Sequence, residues 1–468
     1  MTTALSLPEP LIKPPLDPGF RPAVSATHAF HQKVSGEGVP LAMALEREDG
    51  QVSRFETLIF PDNHPLAGQN FPHIERLLKF LLWQRGAHTV YIGGSPRLAQ
   101  QLANTYGMNG KRHFDAQFLG EKVYEQPFRV IACSLEEVPL ARETRKSLGR
   151  HLEGCRIGFD LGASDRKVSA VVNGVAVYSE EVIWEPRKHS DPEYHYREIL
   201  TALKTAASKM PHVDAIGGSA AGIYIHNRPR VASLFRSVPQ ERYGEIHTLF
   251  ERLQQEMGVP LEVINDGDVT ALAGSMSIGE NAVLGIALGS SEAAGYVDAQ
   301  GAITGWLNEL AFAPIDYSPS APYEEWSGDQ GCGATYLSQQ CVFRLAPQVG
   351  IDLPLNIPDA ERLAQAQKHL HEGHEGAVRI WQTMGVYLGY ALAHYADFYE
   401  VKHVLILGRC TSGEGGNLLL EGVRTVWQAE FPHLLEQIQV HLPDEKIRRV
   451  GQSVAAASLP ELRKENQA

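Results

Sequence analysis

The sequence RIGFDLGASDRKVSAVV, residues 156–172, sets two apolar strands against each other across a short turn of small residues. The first strand carries Asp160, and the turn runs from Gly162 to Ser164. A turn dipeptide, Asn-Gly, then leads to a third strand over 175–182. Glycine lets backbone amides approach a phosphate, a serine hydroxyl donates to it, and an aspartate holds Mg²⁺ through water. The pattern therefore indicates a β-hairpin that binds a nucleotide phosphate tail, while the same residues also fit a plain hairpin with an aspartate at its edge.

A second motif follows in LEVINDGDVTALAGS, residues 261–275, where a strand ends at Asn265-Asp266 and a helix of small residues begins. Open α/β sheets place their ligands at the carboxyl ends of their strands. Phosphorylation of a hydroxyl needs a group that accepts its proton, and a carboxylate can do so. The motif predicts Asp266 as this general base. The alternative is that Asp266 or Asp268 only caps the helix.

The two motifs resemble the first phosphate motif and the Asn-Asp motif of the ROK family (repressors, open reading frames, kinases) within the actin, hexokinase and chaperone ATPase superfamily. The resemblance implies that Asp266 is the general base and that Asn265 binds the substrate hydroxyl. Asp268 takes a further substrate-binding position where the family has Asn. It also implies ATP and Mg²⁺ as cofactors, with Asp160 holding the metal through water.

Further motifs of the family follow the expected order along the chain, although several of their residues differ. Glu309 stands at the family's sugar-binding Glu, and Phe312 stands where the family has a sugar-binding His. The second phosphate loop carries Glu292, which would place a negative charge near the phosphates. The resemblance implies substrate binding by Gly222 and Glu309. It implies nucleotide binding by Asp160, Gly162, Ser164, Gly289, Ser290 and Gly408.

The family's zinc site would fall in EEWSGDQGCGATYLSQQ, residues 324–340. Only Cys332 remains of its ligand set, and Trp326 and Gly328 lie near the other ligand positions. One thiol cannot form a tetrahedral zinc site. We therefore predict no structural zinc.

The N-terminal part lies outside the resemblance. We predict a flexible, proline-rich arm over residues 1–35 and a small α/β domain of unknown role over 36–150. Within it, leucine spacing predicts a helix over 72–85, and residues 114–133 indicate two more strands. No basic recognition helix is visible, so we do not expect the winged helix-turn-helix of the family's repressors.

The fold class expected is α/β, with two ribonuclease-H-like lobes of the actin-like ATPase type around a nucleotide cleft. The first kinase lobe spans 151–280 and the second spans 281–445. A closing helix within 446–468 is expected to pack on the first lobe.

The formal charge of −13 argues against a broad surface for DNA or RNA. Five cysteines without a CxxC pair fit reduced thiols in a cytoplasmic protein. No signal peptide and no apolar run of about 18 residues is visible, so no membrane association is expected. The partner expected is a small sugar substrate. The oligomeric state stays open, with a homodimer as one candidate.

The function predicted is ATP-dependent phosphorylation of a sugar or sugar-like hydroxyl, which makes the chain an ATP-dependent carbohydrate kinase. The alternative is a non-catalytic or weakly active sugar- or nucleotide-binding sensor or regulator of the same fold. The altered phosphate-2 loop and the missing His favour the sensor, whereas the retained Asp160 and Asp266 favour the kinase.

Overall fold

The computed structural model describes residues 5–143, 148–442 and 451–462. Their strands, in chain order, are β1 (Val39–Glu46), β2 (Val52–Ile59), β3 (Thr89–Gly93), β4 (Arg129–Cys133), β5 (Cys155–Leu161), β6 (Asp165–Val172), β7 (Val175–Ile183), β8 (Ala215–Ala220), β9 (Ile223–Ile225), β10 (Arg228–Val231), β11 (Leu261–Asn265), β12 (Val283–Leu288), β13 (Glu292–Val297), β14 (His403–Leu407) and β15 (Gln439–His441).

The α-helices alternate with these strands over much of the chain, as expected for an α/β fold. They are α1 (Ala23–Val34), α2 (Asn70–Arg85), α3 (Pro96–Thr105), α4 (His113–Gln117), α5 (Pro192–Ala207), α6 (Tyr243–His247), α7 (Leu249–Met257), α8 (Asp266–Ile278), α9 (Gln339–Leu345), α10 (Asp359–His371), α11 (Glu375–Ala396), α12 (Gly415–Glu430), α13 (Pro432–Gln437) and α14 (Gln452–Ala457).

The described residues group into two compact units. The larger unit comprises residues 5–143, 286–294 and 306–442, and the smaller unit comprises 148–285, 295–305 and 451–462. The N-terminal residues and most of the predicted second lobe therefore share one unit. This grouping divides β12 after Gly285 and β13 after Ala294.

The larger unit begins with a sheet of order β2-β1-β3-β4, in which only β3 and β4 are parallel. Helix α2 begins at Asn70 and ends before Gly86, as its leucine spacing predicts. A second sheet has the order β13-β12-β14-β15. Helices α11 and α12 of the same unit pack against each other.

The smaller unit contains a five-stranded sheet of order β11-β8-β5-β6-β7. Strands β5, β8 and β11 are parallel, while β6 and β7 extend the sheet as antiparallel hairpins. The hairpins expected from residues 156–182 and the strand expected before Asn265 are thus confirmed. Because β5, β8 and β11 run in the same direction, their carboxyl ends, and the polar residues there, lie at one edge of the sheet.

The helix resembling the family's closing helix is α14, and Val450, which was expected to begin it, lies outside the described residues. Helix α14 contacts β5, β8 and α8 of the smaller unit. The Ser453 hydroxyl lies 2.8 Å from the Ser169 hydroxyl on β6. The small residues of α14 let this helix approach the sheet closely. Gln452, at the start of α14, therefore lies near the carboxyl ends of the strands.

The prediction of two strands over residues 114–133 is wrong. Helix α4 is followed by a π-helical turn over Phe118–Val123, and only β4 is a strand. Phe114 and Phe118, four residues apart, both pack against Trp83 of α2. The aromatic pair therefore follows the helical repeat and packs on a neighbouring helix.

The flexible arm predicted over residues 1–35 is corrected for residues 5–35, and residues 1–4 lie outside the described residues. Residues 23–34 form helix α1, and the preceding segment is anchored on the larger unit. The Phe20 ring is fully buried, with its centroid 4.8 Å from that of Tyr387 and 5.8 Å from that of Tyr336. The prolines keep this segment extended, and the aromatic contacts bind it to the unit.

No helix in the described part of the chain combines the length and the apolar character needed to cross a bilayer.

Candidate active site

Asp160 and Ser219 lie side by side at the carboxyl ends of β5 and β8 and are paired in the parallel register. The Ser219 hydroxyl donates to the Asp160 carboxylate over 2.6 Å. Burial raises the pKa of Asp160, and the bond from Ser219 opposes this shift. Among the described residues, none donates to its second oxygen, which could therefore accept from a further ligand such as a water of a hydrated cation.

Asp266 opens helix α8 directly after β11. Burial, and to a lesser extent the nearby negative charge of Asp160, raise its pKa to about 6. The backbone N–H of Gly267 donates to its carboxylate over 3.0 Å and opposes the shift. A carboxyl group that titrates close to neutral pH can both accept and release a proton at low cost, as general acid–base catalysis requires.

Asn265 supports the first turn of α8 with its side chain. Its carboxamide oxygen accepts from the Gly267 N–H over 2.6 Å, and its amide nitrogen donates to the Gly222 carbonyl over 2.7 Å. Gly222 has φ +124°, and a Cβ there would lie 2.8 Å from the Cα of Ala232. Asn265 thus joins the ends of β8 and β11 and orients the adjacent Asp266.

Asp268 is buried, and its carboxylate accepts from the Tyr296 N–H over 3.1 Å. It therefore ties the first turn of α8 to β13. This contact is structural, and the role as a substrate ligand stays a prediction.

The tip of the first hairpin is closed by Gly162, whose N–H donates to the Asp165 carbonyl over 3.0 Å. Ser164 is exposed, and its hydroxyl donates to the Asp165 carboxylate over 2.8 Å. The Trp184 indole donates to the Gly162 carbonyl over 2.9 Å, which holds the tip from the other side. The tip is thus fixed at its base, with Ser164 towards solvent.

In the larger unit, Gly289, Ser290 and Gly408 lie together where β12 and β14 end. The Gly289 N–H donates to the Ser291 carbonyl over 3.0 Å and closes the turn that contains Ser290. Gly408 has φ +91°, and any Cβ there would overlap the Leu288 carbonyl. Gly289 and Gly408 are half-buried and lack side chains, whereas Ser290 is exposed, which suits a site for a planar base or a phosphate.

Glu292 does not add the negative charge that its sequence position suggested. It is buried, and burial raises its pKa to about 8, although the Tyr395 hydroxyl donates to it over 3.0 Å. The carboxyl group is therefore mostly protonated at neutral pH. It serves as a neutral hydrogen-bonding group in the core of the larger unit.

Glu309 precedes a 3₁₀ turn, Leu310–Phe312, and its backbone N–H donates to the Trp83 carbonyl over 2.9 Å. Phe312 stacks on Trp83, with ring centroids 4.3 Å apart, and packs near Phe114 and Phe118. The N-terminal residues thus build an aromatic cluster around the position at which the family has a His.

The segment that corresponds to the family's zinc site is organised by ion pairs. Asp329 is 2% exposed and contacts Arg112 at 2.5 Å, Arg76 at 2.7 Å and Lys79 at 3.5 Å. Glu75 pairs with Arg112, and Asp115 pairs with Lys79 at 2.8 Å. The cations hold the pKa of Asp329 well below its usual range despite its burial. We call these six residues the Asp329 network.

We predict that purified protein carries no stoichiometric zinc at residues 324–340. Burial raises the pKa of the Cys332 thiol to about 12, whereas a zinc ligand must be a thiolate. Elemental analysis of protein purified without chelator measures the metal content.

The described residues also contain a separate group of three side chains that could bind a metal ion. They are Cys155, His212 and Asp214, at the amino ends of β5 and β8. Zinc that is lost in Cys332→Ser and retained in Cys155→Ser would contradict the prediction.

Two further polar residues belong to the site in the smaller unit. The Gln452 amide donates to the Ser219 hydroxyl over 3.1 Å and to the Asp266 carbonyl over 3.4 Å. Ser219 lies three residues before Gly222, which the resemblance implied in substrate binding, so its neighbourhood carried a signal in the sequence. Gln452 carried none, because it comes from a helix nearly two hundred residues beyond Asp266.

No family model and no curated protein matches the chain. Among solved structures, the ROK hexokinase from Thermus thermophilus matches with 17% identity and a TM-score of 0.51, covering 64% of this chain and 97% of the hexokinase. A ROK family transcriptional regulator, a homolog of the E. coli MLC protein, matches with 17% identity and a TM-score of 0.51, covering 66% of this chain and 78% of the regulator.

At this identity the likeness establishes the fold and not an activity. The chain has an α/β fold, as predicted. Over about two thirds of its length this fold is similar to that of the two matched ROK proteins.

Proposed function

We propose that the protein catalyses ATP-dependent phosphorylation of a sugar or sugar-like hydroxyl. The observation that carries the proposal is the arrangement of Asp160 and Asp266 at the carboxyl ends of parallel strands, joined through Ser219 and Gln452. In this arrangement one carboxylate raises the pKa of the other. Two carboxyl groups with different environments suit two different roles in one reaction.

Asp266 would accept the proton of the attacking hydroxyl. Its pKa of about 6 leaves it mostly ionised at neutral pH yet basic enough to compete for that proton. Asn265 fixes the first turn of α8 and therefore the position of Asp266. Gly222, Asp268 and Glu309 complete the proposed substrate-binding set.

The residues proposed for the nucleotide are Asp160, Gly162 and Ser164 in the smaller unit and Gly289, Ser290 and Gly408 in the larger unit. The oxygen donors of Asp160 and Ser164 fit a hydrated magnesium ion and a phosphate, and the backbone at Gly408 has no side chain that would exclude a base. Magnesium supplies charge neutralisation at the phosphates when bound. ATP as co-substrate is consistent with the proposed cytoplasmic location.

The proposal is tested by a coupled assay of ADP release with Mg-ATP across a panel of sugars. We expect one sugar class to stimulate ADP release well above the rate without sugar. The same assay with Asp266→Asn identifies a contaminating kinase, because contaminating activity would not change with the variant.

We predict an acid limb in the pH profile of kcat/KM with a midpoint near the Asp266 pKa of about 6. The base must be ionised, so activity is lost as pH falls through the pKa and is retained above it. Initial rates between about pH 5 and pH 8, with coupling enzymes in excess, measure the midpoint. A flat profile over this range would contradict the assignment of Asp266.

The alternative proposal is a non-catalytic sugar or nucleotide sensor. The aromatic cluster around Phe312 favours it, because an apolar ring replaces a polar contact expected for the sugar. The fold does not separate the two proposals, since the matched proteins are a hexokinase and a transcriptional regulator. ATP binding by calorimetry without turnover on any sugar of the panel would favour the sensor.

A further inference from the structure

Two turns of the smaller unit meet beside the first hairpin. The backbone N–H of Trp184 donates to the Ser164 carbonyl over 3.1 Å. Trp184 is followed by a 3₁₀ turn over Pro186–Lys188. This turn contacts a second 3₁₀ turn over Ser233–Phe235. The two turns are therefore anchored to the hairpin tip that contains Ser164.

The second turn is equally close to the residues around Asp266. It follows Ala232, and the Ala232 Cα lies so near Gly222 that a Cβ on Gly222 would approach it to 2.8 Å. The Gly222 carbonyl in turn accepts from Asn265 over 2.7 Å. The paired turns thus border the proposed substrate-binding residues.

One arginine is found at each turn, Arg187 within the first and Arg236 directly after the second. The Arg187 guanidinium donates to the Ser233 hydroxyl over 2.9 Å, while its Nε is inaccessible to solvent and has no hydrogen-bond partner. Arg236 directly follows the second turn, and its N–H donates to the Ser233 carbonyl over 3.4 Å. Its side chain is exposed.

In the part of the chain that the structure describes, neither guanidinium forms an ion pair with a carboxylate. Burial lowers the pKa of Arg187, and the positive charge of Arg236 lowers it further. Arg187 and Arg236 lie at turns that contact each other, so their charges repel, and a bound anion would reduce this cost. Their planar donors suit a phosphate or a carboxylate.

We propose that Arg187 and Arg236, with the Ser233 hydroxyl, bind a phosphate or carboxylate group on the acceptor substrate, so that this substrate is an anionic sugar. The inference rests on the proposed function. An acceptor is favoured over the nucleotide because the Ser233 turn continues from the residue packed on Gly222, beside Asn265. The net charge of −13 disfavours the binding of anions to the protein in general, so the anionic group must be recognised by this local pair of arginines.

Isothermal titration calorimetry of the full-length protein without nucleotide tests the proposal. The probes are glucose, mannose and galactose, their 1- and 6-phosphates, and their uronates. We expect at least one anionic sugar to bind about 10-fold or more tightly than its neutral parent, as one charge-assisted hydrogen bond provides. Arg187→Gln and Arg236→Gln should each weaken that binding about 10-fold and leave the neutral parent unchanged.

The matched control is Arg197→Gln on α5, which removes the same charge from an exposed position. It should leave binding of the anionic sugar within about twofold of the wild type. Arg236→Gln changes an exposed side chain and is expected to fold, so it decides the test if Arg187→Gln does not fold. Arg187→Lys then keeps the charge but loses the planar fork, and it should weaken binding as well.

The outcomes separate this inference from the proposed function. If anionic sugars bind through the two arginines but none is phosphorylated, the inference stands and the kinase proposal fails. If a neutral sugar is phosphorylated and the arginine variants bind and react as the wild type does, the inference fails and the kinase proposal stands. Loss of ATP affinity alone in the variants would assign the pair to the nucleotide and overturn the inference, and so would a panel in which no sugar binds.

Discussion

Asp266→Asn is expected to lower kcat by about 10²–10⁴, the usual loss when a general base is removed. The amide is similar in size and still accepts from the Gly267 N–H, so the first turn of α8 stays intact. It cannot take up the hydroxyl proton. ATP affinity should change little. Steady-state kinetics with the best acceptor sugar and an ATP titration by calorimetry measure both quantities.

Asp160→Asn should behave differently from Asp266→Asn. It weakens the proposed link to Mg²⁺, so nucleotide affinity and turnover should both fall, and added Mg²⁺ should restore part of the loss. Glu256→Gln, which changes an exposed carboxylate of the same unit, is the control for loss of charge alone. If a sugar supports turnover and Asp266→Asn keeps kcat within about threefold of the wild type, Asp266 only caps the helix.

Asp329→Asn is expected to destabilise the protein by about 3–5 kcal/mol, as for other buried ion pairs that lose one partner. The network contains the cations Arg76, Lys79 and Arg112. Without the Asp329 charge, the buried carboxylates of Glu75 and Asp115 face three cations. Water reaches little of the uncompensated charge, because Lys79 and Arg112 are buried and Arg76 is only 13% exposed.

Urea unfolding followed by tryptophan fluorescence measures this loss, with equal slopes required before the midpoints are compared. Glu256→Gln is again the matched control, because its pair with Lys204 is exposed and should contribute less than about 1 kcal/mol. A loss below about 1 kcal/mol in Asp329→Asn would show that the buried network does not stabilise this unit.

The local elements near the site could be predicted from sequence because each depends on neighbours in the chain. Apolar runs separated by turns predicted β5 to β7, and leucine spacing predicted α2. The order of the motifs predicted the ROK-like fold, which the solved structures confirm. The strand ends at Asp160 and Asp266 followed from the rule for parallel sheets.

Other features were decided only by the tertiary structure, because they depend on residues far apart in the chain. From sequence alone Asp329 is indistinguishable from a loop residue, and only the fold brings Arg76 and Arg112 to it. Glu292 is expected to be charged from sequence, and only its burial in the fold raises its pKa. The sequence predicted Phe114 and Phe118 in a strand, whereas in the fold they pack on Trp83 from a helical segment. A local pattern records the preference of a segment, whereas protonation state, ion pairing and the choice between helix and strand depend on the solvent and charges that the folded neighbours exclude or supply.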